Sequence, residues 1–242
     1  MPTLSIVIPA YNEEARLPVT LARVLDYLQR SPWTPAEVLV VDDGSQDATA
    51  AVAEEFAREH ALVRLLKNPG NRGKGYSVRH GMLKARGDWV LFTDADLSAP
   101  IEELDKLMAA ALERGASVVI GSRALDRSLI EVRQSAFRET AGRIFNFFMR
   151  VLTGLPFWDT QCGFKLFEGR AAREVFSRVR LERFGFDVEA LFIACLLGYR
   201  TIELPVRWSH SAGTKVSLFR DSLSMFLDLL RVRWHHLLGR YR

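Results

Sequence analysis

The chain has 242 residues, of which 48% are hydrophobic, and it carries a formal net charge of +4. This length and composition suffice for one sizeable globular core. The basic surplus lies mostly in the second half and favours an anionic surface or substrate. Neither a zinc-finger spacing nor an RNA-recognition signature accompanies it, so nucleic acid is not the expected partner.

The first half of the chain alternates between strand and helix patterns. Short apolar runs predict strands over residues 4–8, 37–41, 62–66, 89–92 and 117–120. Helical spacing of apolar side chains predicts helices over residues 14–29, 46–59, 73–86 and 101–114. Such alternation is typical of βαβ units, so we predict an α/β fold whose mostly parallel, Rossmann-like sheet is flanked by helices.

The second half is less regular and contains two basic amphipathic helices, predicted over residues 135–152 and 219–238. Arginines flank both apolar stripes, as they do in helices that lie in a membrane interface. Packing of the same stripes against the protein core is the alternative. The first stripe consists of Phe137, Ala141, Ile144, Phe148 and Val151, and the second of Phe219, Leu223, Phe226, Leu230, Trp234 and Leu237.

No targeting or membrane-spanning segment is evident in the sequence. Its apolar stretches are shorter than the roughly 18 residues of a transmembrane helix, and the N-terminal apolar run lacks the basic region of a signal peptide. We therefore expect a cytoplasmic protein that contacts a membrane peripherally, at its cytoplasmic face. Cys162 and Cys195 show no metal-ligand pattern and are expected to be buried in a reducing compartment.

Polar or glycine-rich segments follow the predicted strands at residues 9–13, 42–45, 68–75, 94–96 and 121–123. In open α/β sheets, ligands bind outside the carboxyl ends of the strands, which share one edge. Each segment alone could be an ordinary turn. Because all five are predicted to converge on that edge, a ligand site is favoured over isolated turns.

Two pairs of aspartates carry the clearest chemistry. Mg²⁺ and Mn²⁺ are bound by one or two carboxylates together with substrate phosphates, so Asp94 and Asp96 could clamp a diphosphate. An acidic turn that ends a strand and caps a helix is the alternative. Asp42 and Asp43 could accept hydrogen bonds from a nucleobase or ribose, or could belong to an Asp-Gly turn.

The glycine-rich segment 68–75 also contains Arg72 and Lys74. Its glycines permit close approach of backbone N–H groups to a phosphate, and a predicted helix N-terminus follows. The spacing differs from that of a P-loop. Together with the two pairs of aspartates, this segment describes a nucleoside-diphosphate site in which Lys74 and a metal hold the diphosphate.

Several motifs jointly resemble the family 2 inverting glycosyltransferases, which have the GT-A fold. They are 8–14 (IPAYNEE), 41–45 (VDDGS), 73–75 (GKG), 94–96 (DAD) and 121–123 (GSR). Segments 159–165 (DTQCGFK), 186–189 (FDVE) and 213–215 (GTK) resemble the dolichyl-phosphate β-glucosyltransferase branch and, more widely, polyprenyl-phosphate glycosyltransferases. The matches extend over nearly the whole chain.

The resemblance implies a metal-dependent hexosyltransferase that moves glucose from UDP-glucose, with inversion, to a polyprenyl or dolichyl phosphate, using Mg²⁺ or Mn²⁺. Such a phosphate is largely ionised at neutral pH and can attack without a strong base. A GDP-mannose donor, a soluble carbohydrate acceptor and a non-catalytic nucleotide-binding module at a membrane surface are the alternatives. The sequence departs from eukaryotic members in lacking their membrane-spanning N-terminal segment, and from other polyprenyl-phosphate enzymes in lacking C-terminal transmembrane pairs, so anchoring is expected to rest on the basic helices.

Site residues follow from the matched motifs. Those implied for nucleotide-sugar binding are Pro9, Ala10, Tyr11, Glu13, Asp42, Asp43, Lys74, Asp94 and Ala95. Asp94 and Asp96 are implied as metal ligands and, with Asp187, as catalytic residues. Candidates for holding the acceptor phosphate, with surface solvation as the alternative, are Arg123, Arg133, Arg138 and Lys215.

The role of Asp187 depends on the acceptor. A sugar hydroxyl would need a carboxylate base, whereas with a phosphate acceptor Asp187 could order the acceptor loop. For Asp187 and Glu189, interaction with a helix N-terminus is the alternative. We predict a GT-A domain over residues 1–215, with a nucleotide-sugar half at 1–123 and an acceptor half at 124–215, followed by a basic amphipathic helix within 216–242.

Overall fold

A seven-stranded mixed sheet forms the centre of the computed structural model, which describes residues 3–132, 136–210 and 218–242. The side chains at 136–139, 141, 143 and 218–223 lie outside this description. The strands are β1 (Leu4–Ala10), β2 (Ala36–Asp42), β3 (Val63–Lys67), β4 (Trp89–Thr93), β5 (Val118–Ser122), β6 (Ile130–Val132), β7 (Phe164–Glu168), β8 (Thr201–Pro205) and β9 (Trp208–Ser209). The helices are α1 (Leu17–Arg30), α2 (Thr49–Glu59), α3 (Lys74–Lys84), α4 (Glu103–Arg114), α5 (Ala136–Thr153), α6 (Gly169–Arg178), α7 (Phe186–Leu196) and α8 (Leu218–Leu237).

The strand order across the large sheet is β3-β2-β1-β4-β7-β5-β8, and β6 pairs with β9 in a separate small sheet. β1 is parallel to β2 and β4, with Ile6 opposite Val38 on one side and Leu91 on the other. Among the described strands of the large sheet, β7 alone is antiparallel to its neighbours, β4 and β5. The prediction of a mostly parallel sheet flanked by helices is confirmed.

Helices cover both faces of this sheet. Leu21 of α1 and Leu107 of α4 belong to the core on one face, and Val78 of α3 and Val188 of α7 belong to the core on the other. Strands that are covered on both faces read as continuous apolar runs rather than as alternating patterns. Such runs are recognisable in the sequence. The five strands and four helices predicted for the first half are all present, with ends displaced by no more than three residues.

Two strands of the large sheet, β7 and β8, were not predicted from the sequence, and β7 is the one that builds the site. Lys165 interrupts its run of Phe164, Leu166 and Phe167, although the side chain of Lys165 is itself buried. The strand pairs Phe92 with Lys165 and Thr93 with Phe164. It thereby brings the segment that precedes it to the carboxyl end of β4.

The two basic amphipathic helices expose most of their described stripe residues. On α5, Ile144, Phe148 and Val151 are exposed, Val151 by 65%. On α8, the same holds for the stripe residues Leu230, Trp234 and Leu237. Phe226 is half-buried and packs edge-on against Phe148, so the two helices contact each other through their apolar sides. The side chains of Phe137, Ala141, Phe219 and Leu223 lie outside the described residues.

Core packing therefore does not account for the stripe residues that are exposed among those described. Within the described ranges, no helix is both long enough and apolar enough to cross a membrane.

Cys162 is buried, as predicted, but the prediction for Cys195 is wrong, because the last turn of α7 emerges from the core and leaves this thiol exposed.

Candidate active site

A cavity of about 370 Å³ opens at the carboxyl edge of the sheet. Segments 9–13, 42–45, 68–75 and 94–96 all contribute to its wall, whereas 121–123 does not. Every residue predicted to bind the nucleotide sugar lines the cavity except Asp42. The Asp42 carboxylate is buried and accepts a hydrogen bond from Ser45 N at 3.3 Å, so it stabilises the turn that follows β2.

Asp43 fixes the glycine-rich loop beside the cavity. Its Oδ1 accepts hydrogen bonds from Asn68 Nδ2 at 2.8 Å and from Arg72 N at 3.0 Å, and its Oδ2 accepts one from Gly73 N at 2.7 Å. A Cβ at Gly44 would lie 2.6 Å from the carbonyl carbon of Gly70. The turn after β2 and the glycine-rich loop therefore touch backbone to backbone, which requires a glycine.

Lys74 and the Asp94–Asp96 pair lie next to each other in the cavity wall. Lys74 Nζ lies 2.6 Å from Asp94 Oδ1. Burial by itself would lower the pKa of Lys74, but the carboxylates of Asp94, Asp187 and Asp96 raise it above its ordinary value, so the ammonium stays charged. Asp96 accepts a hydrogen bond from Ser98 N at 3.0 Å through Oδ1.

The segment before β7 packs directly beneath Asp94. Asp94 N donates to Gly163 O at 3.2 Å, and a Cβ at Gly163 would lie 2.0 Å from Asp94 Oδ2. The motif at 159–165 and the motif at 94–96 therefore form one structure, although they lie far apart in the sequence.

Lys165 and Asp187 form a buried ion pair below the cavity. Lys165 Nζ lies 2.5 Å from Asp187 Oδ1 and donates to Cys162 O at 2.6 Å. The ring of Phe92 lies between two ammonium groups, with its centroid 5.4 Å from Lys74 Nζ and 5.6 Å from Lys165 Nζ. Burial raises the pKa of Asp187, although Lys165 and Lys74 oppose this shift.

Glu189 has a different environment from Asp187. It is fully buried, and its Oε2 accepts hydrogen bonds from Arg180 N at 2.8 Å and Leu181 N at 2.7 Å. Its Oε1 accepts a hydrogen bond from the hydroxyl of Tyr241 at 2.6 Å. These contacts tie α7 to the preceding loop and to the C-terminal residues.

Of the four residues predicted to hold an acceptor phosphate, Arg123 is the one whose side chain is described. Its guanidinium forms two hydrogen bonds to the Asp159 carboxylate, at 2.7 and 2.8 Å, and lies over the ring of Trp208. Burial by itself would raise the pKa of Asp159, but Arg123 holds it below its usual range. Arg133 and Lys215 fall outside the described residues, as does the side chain of Arg138.

Arg183 and Phe184 line the cavity and were not predicted. They come from the loop between α6 and α7, which carries no strand or glycine-loop pattern of its own. The available signals were the basic surplus and the position of this loop just ahead of the motif at 186–189. Arg183 adds a cation to a cavity that Lys74 and Arg16 also line.

The cavity supplies carboxylate ligands suited to a hard divalent cation. Asp94 and Asp96 both line it, and carboxylate oxygens are the ligands that Mg²⁺ and Mn²⁺ prefer. No group of three or more His, Cys, Asp or Glu side chains that could hold a metal occurs among the described residues. A cation here would complete its coordination with ligand phosphates and water, as Mg²⁺ does at nucleotide sites.

A doubly covered, mostly parallel sheet with this cavity at its carboxyl edge defines an α/β protein of the nucleotide-binding type. The model of the family described as glycosyl transferase family 2 matches residues 5–176, and the chain belongs to that family. It is 42% identical to a dolichyl-phosphate β-glucosyltransferase of Drosophila melanogaster, over 99% of this chain and 77% of the relative. It is 38% identical to the human protein of the same name, again over 99% of this chain and 77% of the relative.

The fold has solved counterparts. One is glucosyl-3-phosphoglycerate synthase from Mycobacterium tuberculosis in complex with Mn²⁺, UDP-glucose and phosphoglyceric acid. The superposition gives a TM-score of 0.65 at 21% identity and covers 99% of this chain and 80% of that one. At this identity the likeness supports the GT-A fold alone.

Proposed function

We propose that this family 2 glycosyltransferase moves glucose from UDP-glucose, with inversion, to a dolichyl or polyprenyl phosphate at a membrane surface. The observation that carries the proposal is the contact network of the cavity, in which Lys74, Asp94 and the loop held by Asp43 surround a space suited to a nucleoside diphosphate. The names of the relatives that this chain matches over nearly its full length support the sugar and the acceptor.

In the proposed donor complex, Asp94 and Asp96 would hold a Mg²⁺ or Mn²⁺ ion. The ion would neutralise charge on the departing diphosphate. Lys74 and Arg183 add fixed positive charge to the same wall, so they stabilise that charge without reorganising. Tyr11 and Glu13 follow β1 and also line the cavity, where they would contact the donor's nucleoside.

The residues on the proposed acceptor side favour a nucleophile that is already ionised. Asp187 is paired with Lys165, and Glu189 accepts three hydrogen bonds from the protein, so both carboxylates are committed to the fold. A phosphate monoester is largely ionised at neutral pH and needs no such base. Its attack on the anomeric carbon breaks the bond to the diphosphate and forms the new glycosyl phosphate, with inversion. The tasks left to the protein are positioning and charge stabilisation.

The exposed faces of α5 and α8 support docking on an anionic membrane. Phe147 and Trp234 are exposed by 63% and 60%, and contiguous apolar surface of this kind marks interaction sites. Arg233, Arg240 and Arg242 are exposed beside it, which favours anionic lipid. Arg150 lies over the ring of exposed Trp158 at 4.0 Å, an arrangement suited to the headgroup region.

These assignments also define the proposed organisation of the chain. Residues 1–123 supply most of the donor wall, 124–215 the acceptor side, and 216–242 the helix that lies on the membrane. The transfer assay uses purified full-length protein, UDP-glucose, Mg²⁺ or Mn²⁺ and a short polyprenyl phosphate in detergent, with lipid products identified by mass. We expect a product heavier than the acceptor by one hexose, and none from the corresponding polyprenol.

Two variants sharpen the assay. Asp96→Asn keeps the size of the side chain and should reduce transfer at least about 100-fold by weakening the metal site. Asp26→Asn makes the same change on the exposed face of α1, where Asp26 pairs with Arg30 of the same helix, and should leave transfer unchanged. Transfer from GDP-mannose alone, or to a soluble sugar alone, would refute the assigned substrates. Full activity of Asp96→Asn would refute the assigned site.

A further inference from the structure

The cavity wall formed by residues 180–185 is held from two sides. Arg183 and Phe184 of this wall line the cavity. On one side it packs against the glycine-rich loop and the start of α3, where Tyr76 N donates to Glu182 O at 3.1 Å. A Cβ at Gly73 would lie 2.5 Å from the same oxygen, so the two backbones are in direct contact.

On the other side, the wall is connected to the C-terminal turn through Glu189. One carboxylate oxygen accepts the backbone N–H groups of Arg180 and Leu181, and the other accepts the Tyr241 hydroxyl. Glu189 is 0% exposed and Tyr241 1% exposed, so bulk water does not reach this hydrogen bond in the intact protein. A buried carboxylate that loses a donor binds its remaining donors in a changed geometry or admits water.

The far end of the wall is connected to α8. The carboxylate of Asp228 accepts a hydrogen bond from the Gly185 backbone, and a Cβ at Gly185 would lie 2.5 Å from Asp228 Oδ2. Arg231 Nη1 donates to Asp228 Oδ1 at 2.8 Å, and the Asp228 side chain is otherwise buried. Both ends of this six-residue wall are thus connected to the C-terminal segment, one through Glu189 to Tyr241 and the other directly to Asp228 of α8.

We propose that Tyr241 and Asp228 are positioning residues for the nucleotide-sugar donor, acting through Glu189 and Gly185 to hold the wall that carries Arg183 and Phe184. The identity of the donor rests on the proposed function, whereas the connection between these residues and the wall rests on the contacts alone. Neither residue lines the cavity, so neither is expected to touch the donor.

Tyr241→Phe tests the first connection, and Tyr27→Phe is its matched control. Tyr27 is also buried, and its hydroxyl also donates to a carboxylate, that of Asp105, at 2.8 Å. That pair joins α1 to α4, away from the cavity wall. Both variants lose one oxygen atom and one tyrosine–carboxylate hydrogen bond, so a general loss of stability should affect them alike.

Calorimetric titration with UDP and Mn²⁺ measures the effect on the donor site without an acceptor. We expect the Kd for UDP to rise about three- to tenfold in Tyr241→Phe and to stay within about twofold of wild type in Tyr27→Phe. In steady-state transfer, the KM for UDP-glucose should rise by the same factor, with kcat at saturating donor and the KM for the lipid unchanged. Asp228→Asn should change the donor KM in the same direction.

Hydrogen exchange gives a readout that does not depend on the donor. The amides of Arg180 and Leu181 should lose protection in Tyr241→Phe and keep it in Tyr27→Phe. Equal UDP affinity in wild type and Tyr241→Phe, with both proteins folded, would overturn the inference while leaving the proposed function intact. Wild-type protein that binds no UDP would overturn the proposed function, and unchanged exchange at the two amides would overturn the connection itself.

Discussion

Gly163→Ala should disable the Asp94–Asp96 pair without unfolding the protein. The new Cβ would lie 2.0 Å from Asp94 Oδ2, so the carboxylate must retreat by about 1.4 Å to reach ordinary contact. Asp94 is 2.6 Å from Lys74 Nζ, and a shift of that size would break or reorient this contact. Gly163 does not have a left-handed backbone, so alanine adds this collision and no conformational strain.

A displacement of about 1 Å in a positioned catalytic group costs about 100-fold in rate, equivalent to about 2.7 kcal/mol of transition-state stabilisation. We therefore expect kcat/KM for UDP-glucose to fall about 100-fold and Mn²⁺-dependent UDP binding to weaken. Gly142→Ala is the control, because a Cβ at this α5 position meets nothing within 4 Å. Wild-type kcat/KM in Gly163→Ala would refute the placement of Asp94 in the metal–diphosphate site.

Three further predictions follow from single contacts. Asp159→Asn leaves the half-buried Arg123 guanidinium without its anionic partner and should cost about 1.5–3 kcal/mol of unfolding free energy at pH 7. Arg123, against the effect of burial, lowers the pKa of Asp159, so this stabilisation is present above about pH 4 and is lost as the pH falls through the lowered value. Urea unfolding of the variant should therefore depend less on acid than that of wild type. Lys74→Gln removes the cation beside Asp94 and should raise the KM for UDP-glucose about tenfold or more, an unchanged KM contradicting the assigned diphosphate contact. Trp234→Ser removes an exposed ring from α8 and should weaken binding to anionic liposomes by about 1.5–3 kcal/mol while UDP affinity stays constant; equal liposome binding would exclude this face from the membrane contact.

The sequence was sufficient to bring the segments of the first half to one cavity because the relevant signals are local. Each strand of the first half is a continuous apolar run, and its polar segment begins where the run stops. Parallel pairing then brings Asp43, Lys74 and Asp94 to one edge without further information. The glycine-rich segment was predicted to offer backbone N–H groups to a phosphate, and this stays a prediction. In the structure the N–H groups of Arg72 and Gly73 donate to the Asp43 carboxylate, which fixes the loop beside the cavity.

The contacts of the second half were harder to predict because they join segments that are distant in the sequence. Lys165 reads as a solvent-facing residue in a short pattern, but it is buried by its pairing with Asp187. The position of Arg183 depends on backbone contacts with the glycine-rich loop and α8, which no periodicity encodes. Arg123 was predicted from a motif as a phosphate ligand, whereas in the structure its charge is already balanced by Asp159. A role for Arg123 at the acceptor phosphate would therefore be shared with Asp159.

The position of β7 joins the motif at 159–165 to the motif at 94–96. This strand lies between β4 and β5, so residues 1–123 alone would leave those two strands without their common neighbour. Its antiparallel pairing sets Phe164 opposite Thr93, which puts Gly163 against Asp94 and Lys165 beside Phe92. An acceptor that displaced the 159–165 segment would therefore also displace Asp94, the carboxylate proposed to hold the metal. Because both segments flank neighbouring strands of one sheet, the site is built within a single folded unit rather than between two separately folded halves.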